Sequence, residues 1–153
     1  MDVASLIYNC LVDNLTSTIP ITFKKDEFDP KNPSLQVLIE TFPERSTWVT
    51  RGIYRVEQRI RISIYQKLIR YNPSNIPNYK TIWFDLKDNI NSILTENKFN
   101  LVGIVNLDLV GGWDDEDTIA VGRGVKTVTE PIIWRSRQDI NCVYYITKNL
   151  ITE

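Results

Sequence analysis

The chain of 153 residues contains no histidine. That absence excludes His-dependent nucleophilic triads, His general bases and most zinc or iron sites. Cysteine occurs only at Cys10 and Cys142, too few for a metal site. Both read as small buried hydrophobes in a reducing compartment, with a Cys10–Cys142 disulfide as the alternative. Alanine is confined to positions 4 and 120, and the heavy use of Ile and Asn reads as a trace of an A/T-rich genome. No apolar run approaches the roughly 20 residues that span a bilayer, so no membrane partner is expected. The opening MDVASLIYNCLVDNL lacks a basic leader and does not read as a signal peptide. Basic excess is missing too. The formal charge is -1 and the pI about 5.6, which argues against a dedicated nucleic-acid binder but not against a protein that surrounds DNA without gripping it.

What is present is ordinary in bulk and strongly patterned in one place. Hydrophobic residues make up 42% and charged residues 24% of the chain, enough for one soluble domain spanning 1–153 with a real core. From Ile53 to Lys67 the residues alternate. Tyr54, Val56, Ile60, Ile62 and Ile64 share one face with Gln58, while Arg55, Glu57, Arg59, Arg61, Ser63 and Tyr65 share the other. Such alternation predicts a long strand in an antiparallel sheet covered on one side only. At ~3.4 Å per residue it is longer than a domain of this size needs, so part of it should project or curve.

Around this strand the periodicity predicts a helix over 3–16 capped by Asp2, a strand over 34–42 and a turn at 43–47. The long strand follows over 48–67, with a break near Arg51-Gly52. A second helix is expected over 79–96, capped by Asn78 and ended by Asn97, then strands over 101–110 and 137–147. Exposed loops are expected at 22–33, 71–78 and 111–130, with 118–130 either an arm or an irregular strand pair. The expected fold is α+β in the order α-β-β-α-β-β. Two helices would pack on one face of a mostly antiparallel four-stranded sheet.

No motif carries catalysis. A serine nucleophile would need a Lys or carboxylate base, and neither Ser-x-x-Lys nor Gly-x-Ser-x-Gly occurs. The acidic run Asp114-Asp115-Glu116-Asp117 lacks the spacing of a calcium loop, and its neighbouring carboxylates would point apart on a strand. It reads as a solvated loop or a charged partner surface. Val121-Gly122-Arg123-Gly124-Val125-Lys126 lacks the GK[ST] triplet and the following helix of a phosphate loop. With Arg123 and Lys126 it reads as an exposed loop, or as an arm that orders against a neighbour.

Arg55, Arg59 and Arg61, with Glu57 between them, form either a solvated face or a subunit interface or lumen wall. Trp113 and the segment Trp134-Arg135-Ser136-Arg137 bring more of the Trp and Arg that interfaces favour. Trp134 with its arginines forms an interface anchor or a surface turn. No cofactor is implied.

The order of elements resembles that of the tail-terminator and neck (head–tail connector) proteins of long-tailed bacterial or archaeal viruses. The resemblance runs from about residue 2 to 148. It is carried by the amphipathic opening helix, the charged strand RVEQRIRISIYQKL, and a second helix ending in Ile93-Leu94-Thr95-Glu96-Asn97. A strand, a loop-rich insertion and the closing strand Gln138–Ile146 complete it. It implies a non-enzymatic structural protein of the virion, assembled in the host cytoplasm as a homo-oligomeric ring, commonly a hexamer. Its partners would be its own copies, tail-tube proteins and head-completion proteins, with DNA passing through unbound. The resemblance places Arg55, Arg59, Arg61 and the 111–130 insertion toward the ring's neighbours or channel. The loop at 22–33 and the proline-bearing 71–78 segment depart from many such proteins. Competing readings are a small cellular protein-binding or regulatory domain, and a metal-dependent hydrolase or nuclease using Asp108, Asp114, Asp115 or Asp117.

Overall fold

The computed structural model describes residues 2–17, 20–29, 35–68, 76–97, 100–120 and 132–147. The chain folds as α1 (Val3–Asn14), β1 (Ile21–Lys25), β2 (Leu35–Thr50), β3 (Ile53–Leu68), α2 (Ile76–Asn97), β4 (Asn106–Ala120) and β5 (Ile132–Thr147). The strands form one mixed sheet in the order β1-β2-β3-β5-β4. β1 runs parallel to β2, and every other neighbouring pair is antiparallel. The class is α+β as expected, but the sheet has five strands rather than four and is not wholly antiparallel.

The core lies between the helices and one face of the sheet. Asp2 caps α1 by accepting the Ser5 N–H at 3.0 Å. The helix turns Val3, Ala4, Ile7, Cys10 and Leu11 inward. Along α2, Trp83, Leu86, Ile90 and Leu94 recur at intervals of three and four and are buried. They meet Val56, Ile60, Ile62 and Ile64 of β3 and Ile140, Cys142 and Tyr144 of β5. Ile60, Ile62 and Ile64 are each 0% exposed, and burial of each contributes about 2 kcal/mol.

Several expectations are corrected. The segment expected as an exposed loop at 22–33 begins with β1, a parallel edge strand whose Ile21 and Phe23 are half-buried against the core. Tyr8 meets Phe23 edge-on. Beyond it, Asp26 takes φ 59, and its carboxylate accepts the Thr41 N–H and hydroxyl at 3.0 and 2.9 Å. Phe28 then stacks on Tyr65 with ring centroids 4.3 Å apart, and the Gln36 amide bonds the Asp29 backbone in both directions. This crossing piece shields Gln36, Leu38 and Ser63, which would otherwise lie on the uncovered face.

The turn expected at 43–47 is strand. β2 continues to Thr50, and Pro43 falls within the register shift between Thr41 and Glu44, where a missing N–H breaks no ladder bond. The chain reverses instead at Arg51-Gly52, where Gly52 adopts φ 78. The loop expected from 111 is strand as well. β4 spans Asn106–Ala120 with a bulge between Val110 and Asp114, while 101–105 lies before the strand. Gly111 supplies φ 69 in the bulge, and the Gln138 amide donates to the Val110 and Gly111 carbonyls at 3.2 and 3.1 Å. β5 begins at Ile132 rather than 137, so Trp134 to Arg137 belong to a strand. α2 begins at Ile76, so Asn78 lies inside the helix and not at its cap, with Pro77 in the first turn where it is tolerated. Of the 118–130 segment, 118–120 belong to β4. The remainder lies outside the described residues, as do 30–34 and 71–75 of the other expected loops.

The outer half of β2 is largely exposed. Beyond Glu40, only Phe42 of β2 is partly shielded. At sixteen residues each, β2 and β3 extend roughly 50 Å. β5 pairs with β3 as far as Ile53↔Thr147 and Val56 is still fully buried, and the large apolar side chains exposed on the hairpin are Trp48, Val49 and Ile53 at its turn end.

Candidate interaction face

The uncovered face of the sheet gathers the charged positions of β3 with their partners on β4 and β5. Pairing sets Arg55 opposite Tyr145, Glu57 opposite Val143, Arg59 opposite Asn141, Arg61 opposite Asp139 and Ser63 opposite Arg137. Asp108 lies beside Asn141 and Asp114 beside Arg137 on the outer strand.

The charges are largely compensated within the face. The Arg61 guanidinium grips the Asp139 carboxylate through Nε at 2.8 Å and Nη2 at 3.4 Å. Arg59 Nη1 stands 3.9 Å from the same carboxylate. Arg61 also lies 5.0 Å from the Phe42 ring. Arg137 Nη2 donates to Asp114 Oδ2 at 3.0 Å. Arg55 pairs with Glu57 two residues along its own strand. The hydrogen bond from Arg61 to Asp139, and from Arg55 to Glu57, raises each guanidinium above its ordinary pKa, so both stay cationic. A shallow recess of about 90 Å³ opens among Arg61, Val110, Gly112, Asp114, Arg137 and Asp139. Its carboxylates and guanidiniums already satisfy each other. The face presents mixed charge of both signs, suited to matching a complementary surface rather than to holding polyphosphate.

Asp114 and Asp115 point to opposite faces, as the strand geometry requires. Asp114 lies on the open face. Asp115 turns to the helix side, accepts two hydrogen bonds from Lys87 Nζ at 3.1 and 3.0 Å and one from the Ser136 hydroxyl. Lys87 is nearly buried, so this pair fastens α2 to β4. A Ser, a Lys and an Asp in contact suggest nucleophilic chemistry, but Ser136 is 0% exposed and no substrate reaches its hydroxyl.

The aromatic candidates divide. Trp134 is buried, with its ring 4.7 Å from that of Trp83, so it is a core residue rather than a surface turn or anchor. Trp83 Nε1 donates to Gln66 Oε1 at 2.9 Å. Trp113 is half-buried and donates to Asn91 of α2 at 3.2 Å. Arg135 is half-buried, whereas Arg123 and Lys126 lie outside the described residues. Trp48 and Tyr145, aromatics near strand ends of the kind interfaces favour, are exposed, Trp48 to 64%, as are Ile53 and Val49 at the hairpin turn, and the sequence pattern did not single out Val49. Nothing local to Asp139 names Arg61, 78 residues away, as its partner.

Both cysteines are free and buried. Burial pushes the Cys142 thiol up to about 12 and raises Cys10 as well. Among the described residues, no three His, Cys, Asp or Glu side chains gather to hold a metal ion. No helix among them is long and apolar enough to cross a membrane. No protein-family model matches the chain, and neither does any curated protein.

Proposed function

We propose that the chain is a structural subunit of a long-tailed virus. It forms a ring that caps the tail tube and joins it to the head, as a tail terminator or neck protein, without catalysing a reaction. The observation that carries this reading is the long three-stranded platform of β2, β3 and β5. It is apolar toward the helices, lined with paired charges on its open side, and ends in an exposed turn that carries Trp48, Val49 and Ile53. A structural subunit needs rigid, extended surface for its neighbours more than it needs a pocket. The open face with Arg55, Glu57, Arg59, Arg61 and Arg137 serves as a neighbour contact or channel wall. Its carboxylates offset its guanidiniums, which suits DNA passing without being held. The apolar end of the hairpin, at Trp48, Val49 and Ile53, serves the tail-tube or head-completion partner. The site of action is then the virion, after assembly in the host cytoplasm.

The exposed hairpin end also favours a second reading, a small protein-binding module that acts as a monomer or dimer. Light scattering after size exclusion across a concentration series, with negative-stain imaging, separates the two. Closed rings are the expected result, and a strict monomer would turn the assignment toward the module. Arg59→Glu should leave the circular dichroism spectrum intact and weaken assembly. Normal assembly of that variant would make this face ordinary surface.

A further inference from the structure

The two free edges of the sheet carry opposite charge. β1 closes one side and β4 the other, and among the described residues no strand pairs with the outer side of either. β1 ends in Lys24-Lys25, whereas β4 carries Asp108, Asp114 and Asp115 and continues through Glu116 and Asp117. We propose that the acidic β4 edge of one copy pairs, antiparallel, with the basic β1 edge of a second copy, and that this is the contact that builds the ring. The inference deepens the ring reading and rests on it for closure.

Strand direction and register both support the contact. β1 runs with β2, β3 against it, β5 with it and β4 against it, so β1 and β4 run in opposite directions. A copy rotated about an axis parallel to the strands therefore brings its β1 antiparallel to its neighbour's β4. Lys24, Leu38, Ser63, Arg137 and Asp114 are successive partners in one row across the whole sheet. Lys24 and Asp114 stand at the two ends of that row, both on the open face. The same rotation keeps the row level and sets Lys24 beside the neighbour's Asp114. The Asp114 side chain is 70% exposed, so its pairing with Arg137 leaves it accessible to a second cation.

The alternatives are disfavoured by the same charges. Two β4 edges would set carboxylates against carboxylates, and two β1 edges lysines against lysines. Only the unlike pair matches. Contacts between unlike surfaces build closed rings or open filaments instead of two-fold dimers. The acids and the Gly111 bulge of β4 are also devices that keep an exposed edge from indiscriminate pairing. Here they would admit a basic strand and refuse other acidic ones.

The test uses the full chain in two forms. Lys24→Glu with Lys25→Glu makes both edges acidic, and Asp108→Lys with Asp114→Lys makes the β4 edge basic like β1. Asp115 is left alone because it holds Lys87. Each variant, checked for fold by circular dichroism, should self-associate at least about tenfold more weakly than wild type. An equimolar mixture should reassemble into rings of alternating copies, because every junction is again of unlike charge. Separately, Lys24→Cys with Asp114→Cys in one chain should give an intermolecular disulfide ladder on mild oxidation, since directly opposed antiparallel residues lie within disulfide reach. The ladder should stop at the ring number, and either single cysteine should give none. A wild-type oligomer with no ladder and unaffected variants would overturn the edge contact while the ring reading stands. A ladder with no limiting size would keep the contact and remove the closed ring. A wild type that stays monomeric at every concentration and forms no ladder would overturn both.

Discussion

Arg61 and Ile62 are neighbours on β3 and inhabit different media. Ile62 is fully enclosed by the helix-covered face, while Arg61 lies on the open face, clasped to Asp139 and partly wet. The strand period of two places them there, and the energetics of the two faces diverge accordingly. The covered face stabilises the fold through apolar burial. The open face holds exposed ion pairs, which contribute little to folding and much to the choice of what can approach. Substitutions that damage the fold should therefore map to one face, and substitutions that damage association to the other.

The largest effect tests the covered face. Ile62→Asp places a carboxylate where no water or cation reaches, and should cost several kcal/mol. Thermal melting should show an unfolded or grossly destabilised chain. A folded, soluble variant would mean that the faces are assigned the wrong way round.

Next in size is the tie between α2 and the sheet. Asp115→Asn leaves the Lys87 ammonium, 9% exposed, with the Phe84 ring at 4.6 Å and without the counter-charge it has among the described residues. The expected cost is about 3 kcal/mol. Lys87→Met should cost less, about 1 kcal/mol, because the Asp115 side chain is 43% exposed and water can replace the ammonium. Urea titrations of both variants check the inequality. Equal costs would mean that the two groups are equally solvated.

Cys142 sharpens the comparison through pH. Its thiol, ordinarily at 9.0, is held near 12 by burial, with the Asp108 carboxylate adding to the shift. Below about pH 9 both folded and unfolded chains keep the proton, and the group contributes no pH dependence. Between 9 and 12 the unfolded chain releases it and the folded chain does not, so stability falls as pH rises. The loss attributable to this thiol should approach about 3 kcal/mol by pH 11. It is read as the difference between wild type and Cys142→Ala in denaturant midpoints across that range. Parallel pH profiles would mean that the thiol is hydrated in the folded chain.

Sequence patterning revealed the two faces of β3 and both helices because each rests on a periodic apolar stripe meeting one core. It failed where structure is not driven by that core. β1 is five residues long and ends in two lysines, so it has too few alternations to register, and its strand conformation comes from pairing with β2. The outer half of β2 contains Pro43-Glu44-Arg45-Ser46-Thr47, turn-like in composition because neither helix covers it. β4 combines Gly111-Gly112 with four acids, the marks of a loop and equally of a guarded sheet edge. The candidate site was half readable. Arg55, Arg59 and Arg61 follow from alternation, but the pairing of Arg61 with Asp139 and of Arg137 with Asp114 depends on strand order, which no local pattern encodes.

The smallest expected effect on folding bears most directly on the open face. Asp139→Ala removes the carboxylate that the Arg61 fork grips and that Arg59 approaches. Its side chain is about one-fifth exposed and the arginines are wetter, so solvent should absorb most of the lost attraction, with a stability cost of about 1 kcal/mol or less. The electrostatic consequence is larger, because two guanidiniums lose their shared counter-charge and the face becomes basic. Binding to single-stranded or duplex DNA should then rise from negligible to measurable at low salt and vanish as salt is added. Folding stability unchanged within error together with new, salt-sensitive DNA retention would show that Asp139 keeps this face from holding phosphate. A variant that melts several degrees lower and gains no DNA affinity would place Asp139 with the structural residues of the covered side, and the division of labour between the faces would fail at its centre.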